Sequence, residues 1–130
     1  MREIIFRGKR LDNGEWVYGY LIKLFSQEKE RFAIDTCKQF DFEGYSLNVY
    51  EIDPSTVGQY TGLRDKNGTM VFEGDIVDFK GRPAFITIVL GEWVAMRDSG
   101  LYHKLYPEIL SSVIIGNIHD NPELIKRSTE

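Results

Sequence analysis

The sequence predicts a mainly β protein, a barrel or sandwich of many short antiparallel strands. Three observations point there. Turn signals made of Gly, Asn, Asp and Pro recur about every eight to twelve residues. The segments between them alternate apolar and polar residues with period two, or run as short β-branched stretches. Nowhere does a long 3.6-residue apolar period mark an amphipathic helix.

Ile4-Ile5-Phe6-Arg7 opens as a strand, and Asp12-Asn13-Gly14 turns it back. On the return, Trp16, Tyr18, Tyr20 and Ile22 alternate with Val17, Gly19, Leu21 and Lys23, the pattern of a half-buried strand. Gly19 between two tyrosines marks a bulge or a close backbone approach. Residues 3–25 are therefore read as a β-hairpin. A charged loop over 26–31 leads to a strand at 32–36. A polar loop over 39–44, carrying Phe40 and Phe42, leads to another at 47–52. Asp53-Pro54-Ser55 breaks that strand, since proline has no N–H to donate and forces its predecessor extended.

Residues 56–61 run towards the tight turn Asp65-Lys66-Asn67-Gly68, and residues 69–72 return. Glu73-Gly74-Asp75 is a second tight turn, where the Asp carboxylate can accept backbone N–H bonds. Strands are predicted at 76–79, 84–90, 93–97 and 101–106, separated by turns at Gly81-Arg82-Pro83, Gly91-Glu92 and Ser99-Gly100. Residues 107–112 read as a short helical turn or loop, and 113–118 as a last strand. Asn121-Pro122-Glu123-Leu124 reads as an N-cap with proline at the first helical position, followed by a frayed tail.

Composition narrows the function. With 130 residues, 42% hydrophobic, the chain carries enough apolar matter for a packed core. A formal charge of −4 argues against a duplex-DNA binder, which presents a basic face. The single cysteine, Cys37, excludes an intramolecular disulfide and a cysteine metal site, and reads as a reduced thiol in a cytoplasmic protein. The apolar runs, such as Phe85–Leu90, fall far short of the roughly 20 residues of a membrane span. The N-terminal run is too short for a signal peptide. A cytoplasmic protein with no membrane contact is expected.

Chemistry is hard to find. His103 and His119 stand in separate segments, and His119 and Asp120 would face opposite sides of a strand. Asp65, Asp75 and Asp78 sit near turns, but a calcium loop begun at Asp65 would need an acid where Ile76 stands. No phosphate-loop or dinucleotide glycine pattern occurs. No catalytic, metal or cofactor residue is therefore assigned and no enzyme is expected. The alternative is a small metal-dependent hydrolase gathering Asp75, Asp78 and a histidine.

Binding has more support. Arg7, Lys9 and Arg10 stand across the predicted hairpin from Trp16, Tyr18 and Tyr20. Such a group suits contact with a partner protein, or with single-stranded nucleic acid through stacking and phosphate contacts. The three aromatics share a face by period two, which favours a core or an interface over a stacking platform. Seven Tyr, eight Phe and two Trp exceed what a small core needs. Self-association or a protein partner is therefore expected, with sheet edges as one route.

One long phrase is distinctive: Tyr60-Thr61-Gly62-Leu63, then Asp65, Gly68 and Phe72-Glu73-Gly74-Asp75-Ile76-Val77. With Ile5-Phe6-Arg7-Gly8, Trp16-Val17-Tyr18-Gly19 and the stretch from Ile115 through His119-Asp120-Asn121-Pro122 to Leu124, it resembles the YopX-like family over essentially the whole chain. The resemblance implies a phage or prophage accessory protein of Gram-positive bacteria with an SH3-like small β-barrel portion. It brings no catalytic residues. The expected organisation is an N-terminal β-hairpin region over 1–54, packed on a barrel portion with a C-terminal tail and short helical turn over 55–130. The expected function is binding, of protein or nucleic acid, with single-stranded nucleic-acid binding in phage replication as the alternative.

Overall fold

The aromatic alternation after Asn13-Gly14 becomes the strand around which the N-terminal part of the chain is built. In the computed structural model, which describes residues 4–24, 29–36 and 48–126, the chain divides into two units, Met1–Gln59 and Tyr60–Glu130. In the first, β1 (Phe6–Lys9) pairs antiparallel with β2 (Trp16–Leu24), β2 with β3 (Arg31–Asp35), and β3 with β4 (Val49–Ile52). The start of β5 (Gly58–Arg64) lies on the other side of β1, pairing Gly58 with Arg7 and Gln59 with Phe6.

A bridge between Arg10 and Ile52 brings the end of β1 back to β4, with Asp53 N–H donating to the Lys9 carbonyl at 2.8 Å. Ile34 and Ile52 are fully buried. Gly19 is required by a close approach: a Cβ there would lie 2.1 Å from the Asp35 carbonyl oxygen on the neighbouring strand. The break at Asp53-Pro54 is a 3₁₀ turn, Pro54–Thr56, started by Ser55 N–H donating to Asp53 Oδ1 at 3.0 Å.

In the second unit, Tyr60 on β5 pairs with Phe72 on β6 (Met70–Phe72), their ring centroids 5.6 Å apart. Then β7 (Asp75–Phe79), β8 (Arg82–Val89), β9 (Glu92–Met96) and β10 (Tyr102–Lys104) form a meander. After a 3₁₀ turn at Glu108–Ser111, β11 (Val113–Asn117) returns to the far side of β7. The sheet order is β10-β9-β8-β7-β11. Alternate residues of these strands, Val77 and Phe79, Ala84 and Ile86, Ala95, join Val71, Leu105 and Ile109 in one buried cluster. Each large side chain buried there contributes about 1.5–3 kcal/mol. The Glu73-Gly74-Asp75 corner is built as its residues suggest. Gly74 sits at φ 93, and Asp75 Oδ2 accepts the Phe72 N–H at 2.8 Å.

Several expectations are corrected. The barrel expected over 55–130 is not closed: among the described residues β10 pairs with β9 and β11 with β7, which leaves two sheet edges. Closure needs both edge strands to pair along their length. Here β10 has 3 residues, and β11 shifts register between Ile114 and Gly116. The C-terminal turn is a single 3₁₀ turn, Pro122–Leu124, and the Asn121 side chain does not cap it. Its oxygen accepts the Asn117 N–H instead, at 3.2 Å.

Two turns lie one residue earlier than predicted. Lys80-Gly81 and Leu90-Gly91 are two-residue hairpins with every φ positive, at 53, 84, 51 and 83°. Arg82, Pro83 and Glu92 therefore belong to strands. Pro83 is tolerated because it pairs with Asp78, beyond the last β8–β9 pair at Phe85 and Met96. Cys37, the 39–44 loop with Phe40 and Phe42, residues 26–28 of the 26–31 loop and the tail beyond Lys126 lie outside the described residues.

Candidate binding face

Antiparallel register decides which of the basic and aromatic residues meet. Arg7 stands opposite Tyr18 and Lys9 opposite Trp16, and residues directly opposite one another share a face. Tyr20 follows Tyr18 at the next position on that face. The Arg7 guanidinium lies 4.6 Å from the Trp16 ring centroid and the Lys9 amine 5.5 Å, both within cation–π range. Arg7 is buried, whereas Tyr18 and Tyr20 are 47% and 59% exposed. Period two alone leaves core and interface open; exposure places these two tyrosines on the surface of the first unit.

Arg10 does not join them. One step beyond Lys9, it lies over the Tyr50 ring at 4.1 Å and forms a two-point ion pair with Asp12, at 2.9 and 2.6 Å. That hydrogen bonding holds the Asp12 carboxyl below its ordinary range and raises the Arg10 guanidinium. Asp35 stands opposite Tyr20 across β2 and β3 and so belongs to the face. Nothing in the sequence marks it, because the register between two strands is set by their pairing and not by a local signal. At the other end of β3, Arg31 donates to both oxygens of Glu51 at 2.8 and 2.7 Å.

Two of the acids singled out for chemistry, Asp65 and Asp75, accept backbone N–H groups. Asp65 is buried, and its Oδ1 accepts the N–H groups of Asn67 and Thr69, each at 2.9 Å. Asp75 is buried and bonded to Phe72, whereas Asp78, three residues on along the same strand, is exposed on the opposite face. His103 lies against Phe79, ring centroids 6.2 Å apart. His119 sits in a turn organised by Asn117, whose Oδ1 accepts the N–H groups of His119 and Asp120 at 2.9 Å each. Among the described residues no group of three His, Cys, Asp or Glu side chains converges as a metal ion requires. Nor is any helix there long and apolar enough to cross a membrane.

No curated protein matches the chain. The crystal structure of protein EF1440 from Enterococcus faecalis is similar, with 25% sequence identity and a TM-score of 0.58, covering 97% of this chain and 100% of that one. The family model described as YopX protein matches residues 5–126, taking in the paired strands of the aromatic face, the Asp65 and Asp75 corners and the Asn117 turn alike. Since that match runs over nearly the whole chain, the protein belongs to the YopX family.

Proposed function

We propose that this is a cytoplasmic phage or prophage accessory protein that acts by binding a partner protein, not by catalysis. Its contact face would be Arg7, Lys9, Trp16, Tyr18 and Tyr20. The observation that carries the proposal is the exposure of Tyr18 and Tyr20 on the face where Arg7 lies over Trp16. Tyr, Trp and Arg are the residues that dominate binding energy at protein interfaces. Tyrosine adds large contact area at a cost of only two torsions. The formal charge of −4 favours a protein over a polyanion as partner. Membership of the YopX family supports the phage setting. The binding of the Asp65 and Asp75 carboxylates to backbone N–H groups supports a non-catalytic role. The second unit is read as a relative of the SH3-like small barrels, supported by its four-strand meander, the 3₁₀ turn and the return of β11 to β7.

The test is crosslinking capture from host and phage lysates with the wild type and with Tyr18→Ala/Tyr20→Ala. A captured protein lost in the double variant, and recovered as a purified complex with the wild type, supports the proposal. Capture unchanged by the variant overturns it.

A second proposal, single-stranded nucleic-acid binding, is favoured by one feature. Tyr18 and Tyr20 are two residues apart on a strand, about 6.8 Å, a spacing that stacked bases of an extended single strand can match. Retention on single-stranded DNA that falls steeply with salt and disappears in the double variant supports it. Absence of retention at low salt removes it.

A further inference from the structure

We propose that β10 is a pairing edge for a second copy of this chain, with His103 at the two-fold axis. Among the described residues β10 pairs only with β9, which makes it an edge of the five-stranded sheet. The direction of its outer groups follows from the ladder. Arg97 N–H donates to the Leu101 carbonyl at 2.8 Å, and Leu105 N–H to the Trp93 carbonyl at 3.1 Å. In an antiparallel pair, hydrogen-bonded and non-bonded positions alternate. His103, opposite Ala95 and midway between these two bonds, therefore directs its N–H and C=O towards β9. Tyr102 and Lys104 direct theirs outwards, away from the sheet.

Those outward groups are self-complementary. If two β10 strands meet antiparallel about His103, Tyr102 of each faces Lys104 of the other. Each facing pair exchanges both of its backbone bonds, and four hydrogen bonds satisfy every outward group of the strand. The side chains agree with the backbone. Tyr102 is 44% exposed and Lys104 is exposed, both on the sheet face opposite His103. In this register each ammonium meets a tyrosine ring, a cation–π contact. A lysine on an edge strand normally prevents pairing. Here it blocks the register centred on residue 104, which would bring two lysines together, and leaves the register centred on His103 open. A two-fold contact of this kind is closed and stops at a dimer.

The contact is small, so the dimer is expected to be weak and to fill in as concentration rises to about 1 mM. The experiment is sedimentation equilibrium of the whole chain from low micromolar to millimolar concentration, on the wild type and three variants. Circular dichroism confirms that each variant is folded. The wild type should approach twice the mass of one chain. Lys104→Pro removes only an outward N–H, which an edge strand tolerates, and should sediment as a monomer. Tyr102→Lys sets lysine against lysine and should also be a monomer. The exchange Tyr102→Lys/Lys104→Tyr restores tyrosine opposite lysine and should restore the dimer. A wild type that stays monomeric at 1 mM overturns the proposal, and so does a dimer indifferent to Lys104→Pro or to Tyr102→Lys. The proposed contact is made of β10 alone, so Tyr18→Ala/Tyr20→Ala should dimerise as the wild type does.

Discussion

The carboxylate of Asp65 accepts the backbone N–H of Ile114, 49 residues further along the chain, at 3.1 Å. Its other oxygen holds the turn at Asn67 and Thr69. Next to it, Lys66 N–H donates to the Ser112 carbonyl at 2.8 Å. One buried acid thus closes a hairpin turn and ties it to the outer side of β11. Removing it strands three backbone donors. Asp65→Ala should destabilise the protein by about 3 kcal/mol, since bonds to a charged acceptor contribute about 1.5–3 kcal/mol and are not additive. Asp65→Asn keeps one acceptor oxygen for the turn but turns an amide donor towards Ile114, and should lose about half as much. Urea denaturation with an unchanged slope would check both values.

Gly19 tests the first unit in the same way. A methyl group there would need the Asp35 carbonyl oxygen, 2.1 Å away, to move, and that oxygen belongs to the backbone of the neighbouring strand. No rotamer relieves the overlap. Gly19→Ala should cost about 3 kcal/mol or more, in the range of severe core changes. It should also loosen the Tyr20–Asp35 pairing that helps shape the aromatic face. Hydrogen exchange localised to β2 and β3 would show this, with the second unit protected as before.

Gly19 was legible in part: a glycine between two tyrosines of a strand marks a bulge or a close backbone approach, and the approach to Asp35 is the one built. Strand positions were legible for the same local reason: side-chain alternation and turn residues are written within a few neighbours of each other. What depends on register was not. Arg10 follows Lys9 by one residue and looks like part of the same basic group, yet alternation and the Arg10–Ile52 bridge take it to Tyr50 and Asp12. Asp35 joins the face only through its pairing with Tyr20. The bond from Asp65 to Ile114 depends on where β11 returns, which no turn signal states. The two hairpins read one residue late were hidden by chemistry: Lys80 and Leu90 occupy left-handed positions where Asn, Asp or Gly is the usual choice.

Leu90 offers the clearest stabilisation. It holds φ 51 with its side chain 96% exposed, so it bears left-handed strain with almost no burial in return. Leu90→Asn keeps the two-residue turn with a residue that reaches this conformation readily. The gain should be about 1 kcal/mol, visible as a rise in Tm of several degrees. A Tm unchanged or lowered would mean that Leu90 makes a contact in solution that its exposure does not suggest.

The Arg31–Glu51 pair predicts how acid acts on the first unit. Arg31 donates two short hydrogen bonds to Glu51 and so holds its carboxyl below the ordinary 4.5. A carboxyl whose pKa is lower in the folded state than in the unfolded one stabilises the fold at pH values above the unfolded value. That contribution fades as pH falls through the folded value. The stability difference between wild type and Glu51→Gln should therefore be present at pH 7 and constant down to about pH 5, then close as the solution becomes more acidic. Both side chains are partly exposed, at 42% and 31%, so added salt should shrink the difference at pH 7 as well. A gap between the two proteins that ignored both pH and salt would mean that Glu51 acts through packing rather than charge.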